Sequence, residues 1–457
     1  MKLSGWILRA SLIAMVALSL VFSFLIWQNP SRLGRSDTSV AVKTTKDPNA
    51  AAQVSNVFAP TTAYYQHDGT KTMLFDPETS VADTLRTAMK EWQIQRIGAA
   101  KKLTSSAYTA LLATDQSLQL RYTGAMAFKQ FNQTFLTQPL KSPGADFQFD
   151  RLLVDLSATT TRLQFVNDKT RAVRTATLAH ADVAKVQAVV AKTTASGFAV
   201  TEMRLGNRQV ATFNAPIQVP PYTFLLDQQS ANHFVSLLLP ADSASSVDTR
   251  EIGTETVYTL GASQRLSLDT DTGGMQYENA AKATAGSGLT TSLRTGYASL
   301  SKLALQGLGT VRYFDTQSDT GTVTFRACAL GLPIFNADGY GAITTTNTAS
   351  GEQMGFSTYN LTVAIPTTQS PVTLPSTATV FDQLRHAGYD VNGLTDMTLG
   401  YYWKAQTADS QVVSLTPTYF VKINGEYRRY TQWVDPTDET AKDTVTPSNG
   451  SGTQTLE

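Results

Sequence analysis

The stretch of this chain closest to a metal-binding motif is Asp269-Thr270-Asp271-Thr272-Gly273-Gly274, which opens like a calcium loop. Such a loop needs an oxygen ligand at its fifth position, Gly at the sixth and Glu at the twelfth. Gly274 fits the sixth, but Gly273 holds the fifth and Ala280 the twelfth, and the flanks alternate like strands. It reads as a hairpin turn. The four histidines, His67, His180, His233 and His386, are scattered, and none has a second His or a Cys at ligand spacing, so no metal is expected. GxSxG, P-loop, HExxH and dinucleotide fingerprints are absent, and no cofactor is expected. Asp146, Asp150, Asp155 and Asp396 could be nominated as the paired acids of a glycosidase, but sequence spacing does not tell whether they converge. The lone Cys328 excludes an internal disulfide and sits in an alternating run, residues 323–330, that suits a small semi-buried residue. No catalytic residue emerges, and the chain is not expected to be an enzyme.

The elements that would position such residues form a mixture of helices and hairpins. Ser80 to Asp83 resembles a capping box, and Leu85, Ala88, Met89 and Trp92 recur at helical spacing, which predicts a helix over 81–97. Val183, Val186 and Val190 after Asp182 predict a second. Leu293, Tyr297 and Leu300 predict a third over 291–306, and Val380, Phe381, Leu384 and Ala387 before Gly388 a fourth. Hairpins are predicted at Asp68-Gly69, near Asn167-Asp168, at Thr272-Gly273-Gly274 and, most strongly, at Asn424-Gly425. The expected class is α+β, with antiparallel sheets and packed helices.

Ahead of these lies an apolar run from Ala10 to Trp27 without a charge between Arg9 and Arg32. At ~1.5 Å per residue, about twenty helical residues cross a ~30 Å hydrocarbon core, so a single transmembrane anchor is expected. Trp6 and Trp27 would rest at the two interfaces. The segment ends in Phe24-Leu25-Ile26-Trp27, with no small-x-small cleavage site, so it reads as retained. Ala10, Ala14 and Ala17 fall on one helical face and Ser19 and Ser23 on roughly the opposite one, which makes them candidates for close packing against partner helices. Basic residues lie on both sides of the run, so charge alone does not orient it.

The net charge of +1 and the lack of a basic cluster argue against nucleic acid as a partner. A polar, Thr- and Ser-rich chain with one Cys fits an extracytoplasmic region. The expected divisions are a cytoplasmic tip and anchor at 1–28, a linker at 29–55, an N-terminal extracytoplasmic domain at 56–219, a middle domain at 220–286, a C-terminal domain at 287–434 and a disordered tail at 435–457.

Several stretches, in their order along the whole chain, resemble the YycH family of Firmicutes. They are Met1-Lys2-Leu3-Ser4-Gly5-Trp6 with Phe24-Leu25-Ile26-Trp27-Gln28-Asn29-Pro30-Ser31 around the anchor, then Val323-Thr324-Phe325-Arg326 with Gly331-Leu332-Pro333-Ile334-Phe335. Leu399-Gly400-Tyr401-Tyr402 and the segment from Leu415 through Pro417 and Tyr419 to Gly425 complete the likeness. Tyr419 stands where the family would carry Trp, an aromatic exchange compatible with packing. The resemblance implies a single-pass cell-membrane protein with a cytoplasmic N-terminus and three outer domains, two sharing a topology. It also implies regulation of the WalK/WalR (YycG/YycF) two-component system that controls cell-wall metabolism. The implied partners are a sensor histidine kinase of the WalK type, a YycI-type sibling and the lipid bilayer, with contacts partly between transmembrane helices.

Three other readings remain at this point. A wall hydrolase predicts a deep cleft with convergent acids, an extracytoplasmic ligand sensor predicts an apolar pocket with a few polar groups, and a scaffold predicts broad surface contacts.

Overall fold

Short-range turn chemistry sets up the strands. At Asp68-Gly69 both residues have positive φ (46° and 73°), and so do Asn424 and Gly425 (52° and 88°), the backbone that a two-residue hairpin requires. The computed structural model describes residues 54–435 except 158–161, 241–245, 283–287, 306–309, 337, 366–368 and 404–411, together with Met15. The anchor candidates Ala10, Ala14, Ala17, Ser19 and Ser23, both interfacial tryptophans Trp6 and Trp27, and nearly all of the linker and tail lie outside the described residues. Among the described residues no helix is long and apolar enough to cross a membrane.

The first sheet uses β1 (Thr62–His67), β2 (Thr70–Met73), β3 (Gln93–Ile97), β4 (Lys101–Lys102), β5 (Ser117–Ala127), β6 (Gln148–Asp155), β7 (Arg162–Asn167), β8 (Ala172–Ala179), β9 (Phe198–Leu205) and β10 (Arg208–Phe213). Its order is β10-β9-β2-β1-β5-β6-β7-β8-β3, with β4 beside β8. β11 (Ile217–Val219) pairs separately with β23 (Val372–Leu374). The second sheet contains β12 (Tyr222–Gln228), β13 (Val247–Ile252), β14 (Glu255–Leu260), β15 (Gln264–Asp269), β16 (Gly274–Asn279), β17 (Val311–Thr316), β18 (Val323–Ala329), β19 (Leu332–Phe335), β20 (Ala342–Thr348), β21 (Gly351–Ser357) and β22 (Tyr359–Ile365). It is completed by β24 (Asp396–Trp403), β25 (Val412–Ile423) and β26 (Glu426–Arg429). The order is β13-β14-β15-β16-β21-β20-β18-β19-β24-β25-β12-β22, with β17 on β18 and β26 on β25. Among the described strand pairs only β19 and β24 run parallel.

Helices α1 (Val81–Met89), α2 (Ser105–Leu112), α3 (Phe128–Thr134), α4 (Val183–Thr194), α5 (Ala231–Leu238), α6 (Leu289–Lys302), α7 (Thr377–His386) and α8 (Tyr430–Val434) accompany the sheets. The mixed, sheet-rich α+β class agrees with the sequence. α1 differs from its expectation, stopping at Met89 where the pattern ran on to 97. Ser80 Oγ does cap it by accepting from the Asp83 amide. Beyond it, Gln93–Ile97 pairs with β8 and buries Ile94, so hydrogen bonding to the sheet edge overrides a helical spacing that also fitted. The helices over 183–194 and 377–386 lie where the apolar spacing put them, and the one expected over 291–306 runs over 289–302, with Val186, Val190, Leu293, Leu300, Val380 and Leu384 buried. A Gly388 with φ of 92° follows the last, as a left-handed helix stop.

One apolar core runs from Phe58, Leu85 and Trp92 through Leu118, Phe149 and Phe165 to Leu266, Leu293 and Phe325, so both sheets contribute to it. A second joins Tyr64, Val200 and Val210 to Leu399, Trp403 and Tyr419. The sheets therefore share side-chain packing on both sides of their junction.

Candidate functional site

The residues singled out in the sequence do not converge. Asp146 accepts from the Lys129 amide at the start of α3 (2.9 Å), and Asp155 closes a turn by accepting from the Ser157 amide (2.9 Å). Asp396 pairs with Arg208, and Asp150 lines a cleft of its own. The Asp269 carboxylate accepts from the amides of Asp271 and Thr272, each at 3.0 Å, as the turn reading requires. The structure does gather His67, Asp68 and Asp115, all exposed, at the β1–β2 turn. His67 lies 3.5 and 3.6 Å from the two carboxylates, and the Asp68 amide donates to Asp115 at 2.8 Å. Cys328 is buried, and burial pushes its thiol up to about 12, far from a reactive thiolate.

What the sequence search missed is a buried charged network on one face of the first sheet. Its members are Arg151 on β6 and Glu202 on β9, both within largely apolar stretches, with Lys71 on the polar β2, Gln119 on β5, and Asp168 just after β7. That intrusion of charge into apolar alternation was the available signal. Arg151 is fully buried and reaches Gln119 Oε1 at 2.6 Å, Glu202 Oε1 at 2.7 Å and Asp168 Oδ2 at 3.3 Å. Lys71 donates to Glu202, and Tyr108 from α2 donates to Asp168. Burial alone would raise the Glu202 carboxyl, but the Arg151 and Lys71 cations outweigh it and hold it at about 2. For Lys71 the balance goes the other way: desolvation pulls its ammonium below the ordinary value despite Glu202.

A cleft of about 790 Å³ opens beside this network. Its construction depends on an irregularity in β5. Arg121 pairs with Arg151 and Met126 with Phe149, so residues 122–125 stand opposite Asp150 alone and bow out of the ladder. That bow, the β7–β8 turn at Asp168 and Lys169, Asn207 and Arg208 at the β9–β10 turn, the first turn of α6, the β17–β18 hairpin and the β20–β21 turn form the walls. Polar side chains reach it from several sides, although more of its lining surface is apolar than polar.

Within the cleft, Asp150 accepts from the Asp168 amide through both oxygens at 3.1 Å. Burial, then the nearby Asp168 charge, raises its carboxyl to about 8, against the opposing pull of Arg151. A carboxyl that holds its proton more tightly when folded than when unfolded loses stability as pH climbs between those two values. The Asp150 contribution should therefore decline from about pH 4 to about pH 8 and then level off. Asp150→Asn should remove that decline: its urea midpoint, relative to the parent chain, should increase over this interval. Parallel midpoint-against-pH curves would count against a protonated Asp150.

Arg208 closes one end of the cleft and ties the sheets together. From β10 it bonds Asp315 of β17 (3.0 Å), Asp396 of β24 (2.8 Å) and the Thr123 carbonyl in the β5 bow (2.6 Å). Tyr427 also donates to Asp396 at 2.7 Å, and Lys422 lies 3.6 Å from Asp315. A second tie joins Arg312 of β17 to Asp83 of α1 at 2.6 Å.

Comparison with known proteins gives consistent matches. Residues 9–195 match the family model described as YycH protein, N-terminal domain, and residues 208–436 match YycH protein, C-terminal domain. The crystal structure of YycH from Bacillus subtilis superposes with a TM-score of 0.65 at 15% identity, over 83% of this chain and 97% of that one, a likeness of fold. An uncharacterized protein from Eubacterium rectale ATCC 33656 aligns at 8% identity over 50% of this chain and 85% of that one, with a TM-score of 0.30, too low to carry an argument. No curated protein sequence matches.

Proposed function

The chain belongs to the YycH family, and from that premise we propose that it is a membrane-anchored, non-enzymatic regulator of a cell-wall-controlling sensor histidine kinase of the WalK type. The observation that carries this reading is the pair of family matches, which follow one another from residue 9 to residue 436 and leave little of the chain unaccounted for. At the family level, such proteins are regulators of the YycG/WalK system.

The mechanism we infer runs through the N-terminal helix. Ala10, Ala14 and Ala17 would pack against one partner helix and Ser19 and Ser23 against another, while Trp6 and Trp27 fix the helix in depth. The N-terminus would be cytoplasmic and the residues after the linker extracytoplasmic. A YycI-type sibling would bind beside the kinase, and the outer domains, 56–219, 220–286 and 287–434, would hold the partners at high local concentration. A helix that prefers one signalling state of the kinase by ~1.4 kcal/mol changes the ratio of states tenfold.

Two experiments test the proposal. Photoreactive residues at positions 14 and 23, introduced separately, should crosslink in cells to a sensor kinase and to a second single-span protein. Ala10→Leu with Ala14→Leu should alter a kinase-dependent reporter several-fold while the unfolding midpoint of the outer region stays put. An unchanged reporter, in these variants and in one with a scrambled anchor, would show that the helix does not transmit the effect.

A further inference from the structure

We propose that the cleft between the two sheets binds a hydroxyl-rich ligand bearing one acidic group, a carboxylate or a phosphate, and that Arg121 receives that group. The proposal is independent of the anchor and of any kinase.

Arg121 is the starting point. It lines the cleft from β5, its side chain has no hydrogen-bond or ion-pair partner among the described residues, and its Nε is buried from solvent. The residue is half-buried and Tyr64, Asp168 and Asp396 favour its charge from a distance, but none of them bonds it directly, and a guanidinium lacking a direct partner is an uncommon arrangement in native folds. The acids around it are already committed. Asp168 is taken by Arg151 and Tyr108, Asp150 by the Asp168 amide, and Asp396 by Arg208 and Tyr427. An anion entering the cleft would supply the missing partner, and guanidinium pairs with carboxylate and phosphate in a two-pronged geometry.

The rest of the wall points to hydroxyl groups on the ligand. Asn167 is already held by the Gln148 main-chain carbonyl and Thr170, and Asn347 by Ser299, while the Gln148 and Asn207 side chains offer carbonyl acceptors and amide donors from different sides. That pairing suits sugar-like hydroxyls, which both donate and accept. The described lining offers no aromatic stacking surface: the Tyr122 ring packs edge-on against Phe149 in the apolar core, at 5.7 Å. The volume of about 790 Å³ lies within the range of small-ligand sites. A smaller cavity of about 40 Å³ also borders Arg121, room enough for a water molecule. Solvation by water alone is therefore the competing account.

Calorimetric titration of the full chain in detergent micelles separates these accounts. The probes are trigalacturonate, a glycerol-phosphate trimer and neutral maltotriose. At least one acidic probe should bind tenfold or more tightly than maltotriose, and which one does so identifies carboxylate or phosphate. Arg121→Gln should weaken that binding at least tenfold, and Arg121→Lys should weaken it less. Should Arg121→Gln fail to fold, Asn207→Ala combined with Gln148→Ala, both outside β5, should still weaken binding several-fold. Equal binding of maltotriose, failure of both acidic probes to bind, or undiminished affinity in the variants would overturn the proposal.

Discussion

Replacing Arg151 with Met should lower stability by about 3–5 kcal/mol, the usual consequence of deleting one member of a buried ionic cluster. Met keeps much of the side-chain volume, so the loss would come from charge. Glu202 would retain only Lys71, and Asp168 only Tyr108 and its backbone contacts. Two comparisons distinguish charge from packing. In the parent chain Glu202 is held at about 2, so its contribution is present above the ordinary carboxylate value and is lost as pH falls towards 2. Without Arg151 that carboxyl would rise, and acid would then neutralise the uncompensated charge. The deficit of Arg151→Met should consequently be larger at pH 8 than at pH 4.5, as read from urea midpoints. A triple variant, Arg151→Met with Glu202→Met and Lys71→Met, should recover part of the loss, because well-packed apolar groups can replace a buried ion cluster at little cost. Equal deficits at both pH values and a triple variant worse than the single one would show that Arg151 acts by shape.

The sequence revealed those parts of this molecule whose causes are local. Asn424-Gly425 and Asp68-Gly69 announce hairpins because few residue pairs tolerate two positive φ angles in succession. Val186 and Val190, or Leu293 and Leu300, announce helices because each helix buries one face. The end of α1 was hidden because Ile94 and Ile97, three apart, continue a helix stripe, and a strand accommodates them only through the register shift between Ile94 and Arg96 that pairing with β8 brings. The cleft was hidden for a stronger reason. Arg121, Asp150, Asn207 and Asn347 come from segments far apart in the chain, and the bow in β5 that shapes the wall has no local signature. Arg208 could have been suspected as a charged residue heading the strand Arg208–Phe213, but its partners Asp315 and Asp396 could not.

The junction of the two sheets should be most sensitive at Gly124, where Gly124→Val is expected to cost about 3 kcal/mol by forced overpacking. A Cβ there would lie 2.7 Å from the Tyr313 hydroxyl, 2.9 Å from Asp315 Cα and 2.9 Å from the Phe314 carbonyl oxygen. Two of those three atoms are backbone, so a rotamer change cannot relieve the clash. The bow would have to leave β17, breaking the bond that Tyr313 donates to the Ala125 carbonyl (2.8 Å) and straining the reach of Arg208 from Thr123 to Asp315. Gly69 supplies the contrast. It has a φ of 73° and an added Cβ would meet nothing within 4 Å, so Gly69→Ala brings only backbone strain, about 1 kcal/mol, confined to one hairpin. Hydrogen exchange tells the two apart: Gly124→Val should accelerate exchange at least tenfold in β17 and in the bow together, while Gly69→Ala should affect the β1–β2 turn alone. Because residues 123–125 and 315–321 both line the cleft, the same variant should also change the affinity of the cleft for an acidic probe. Unaltered exchange in β17 would mean that the junction yields freely, and that the cleft walls are not held by this contact.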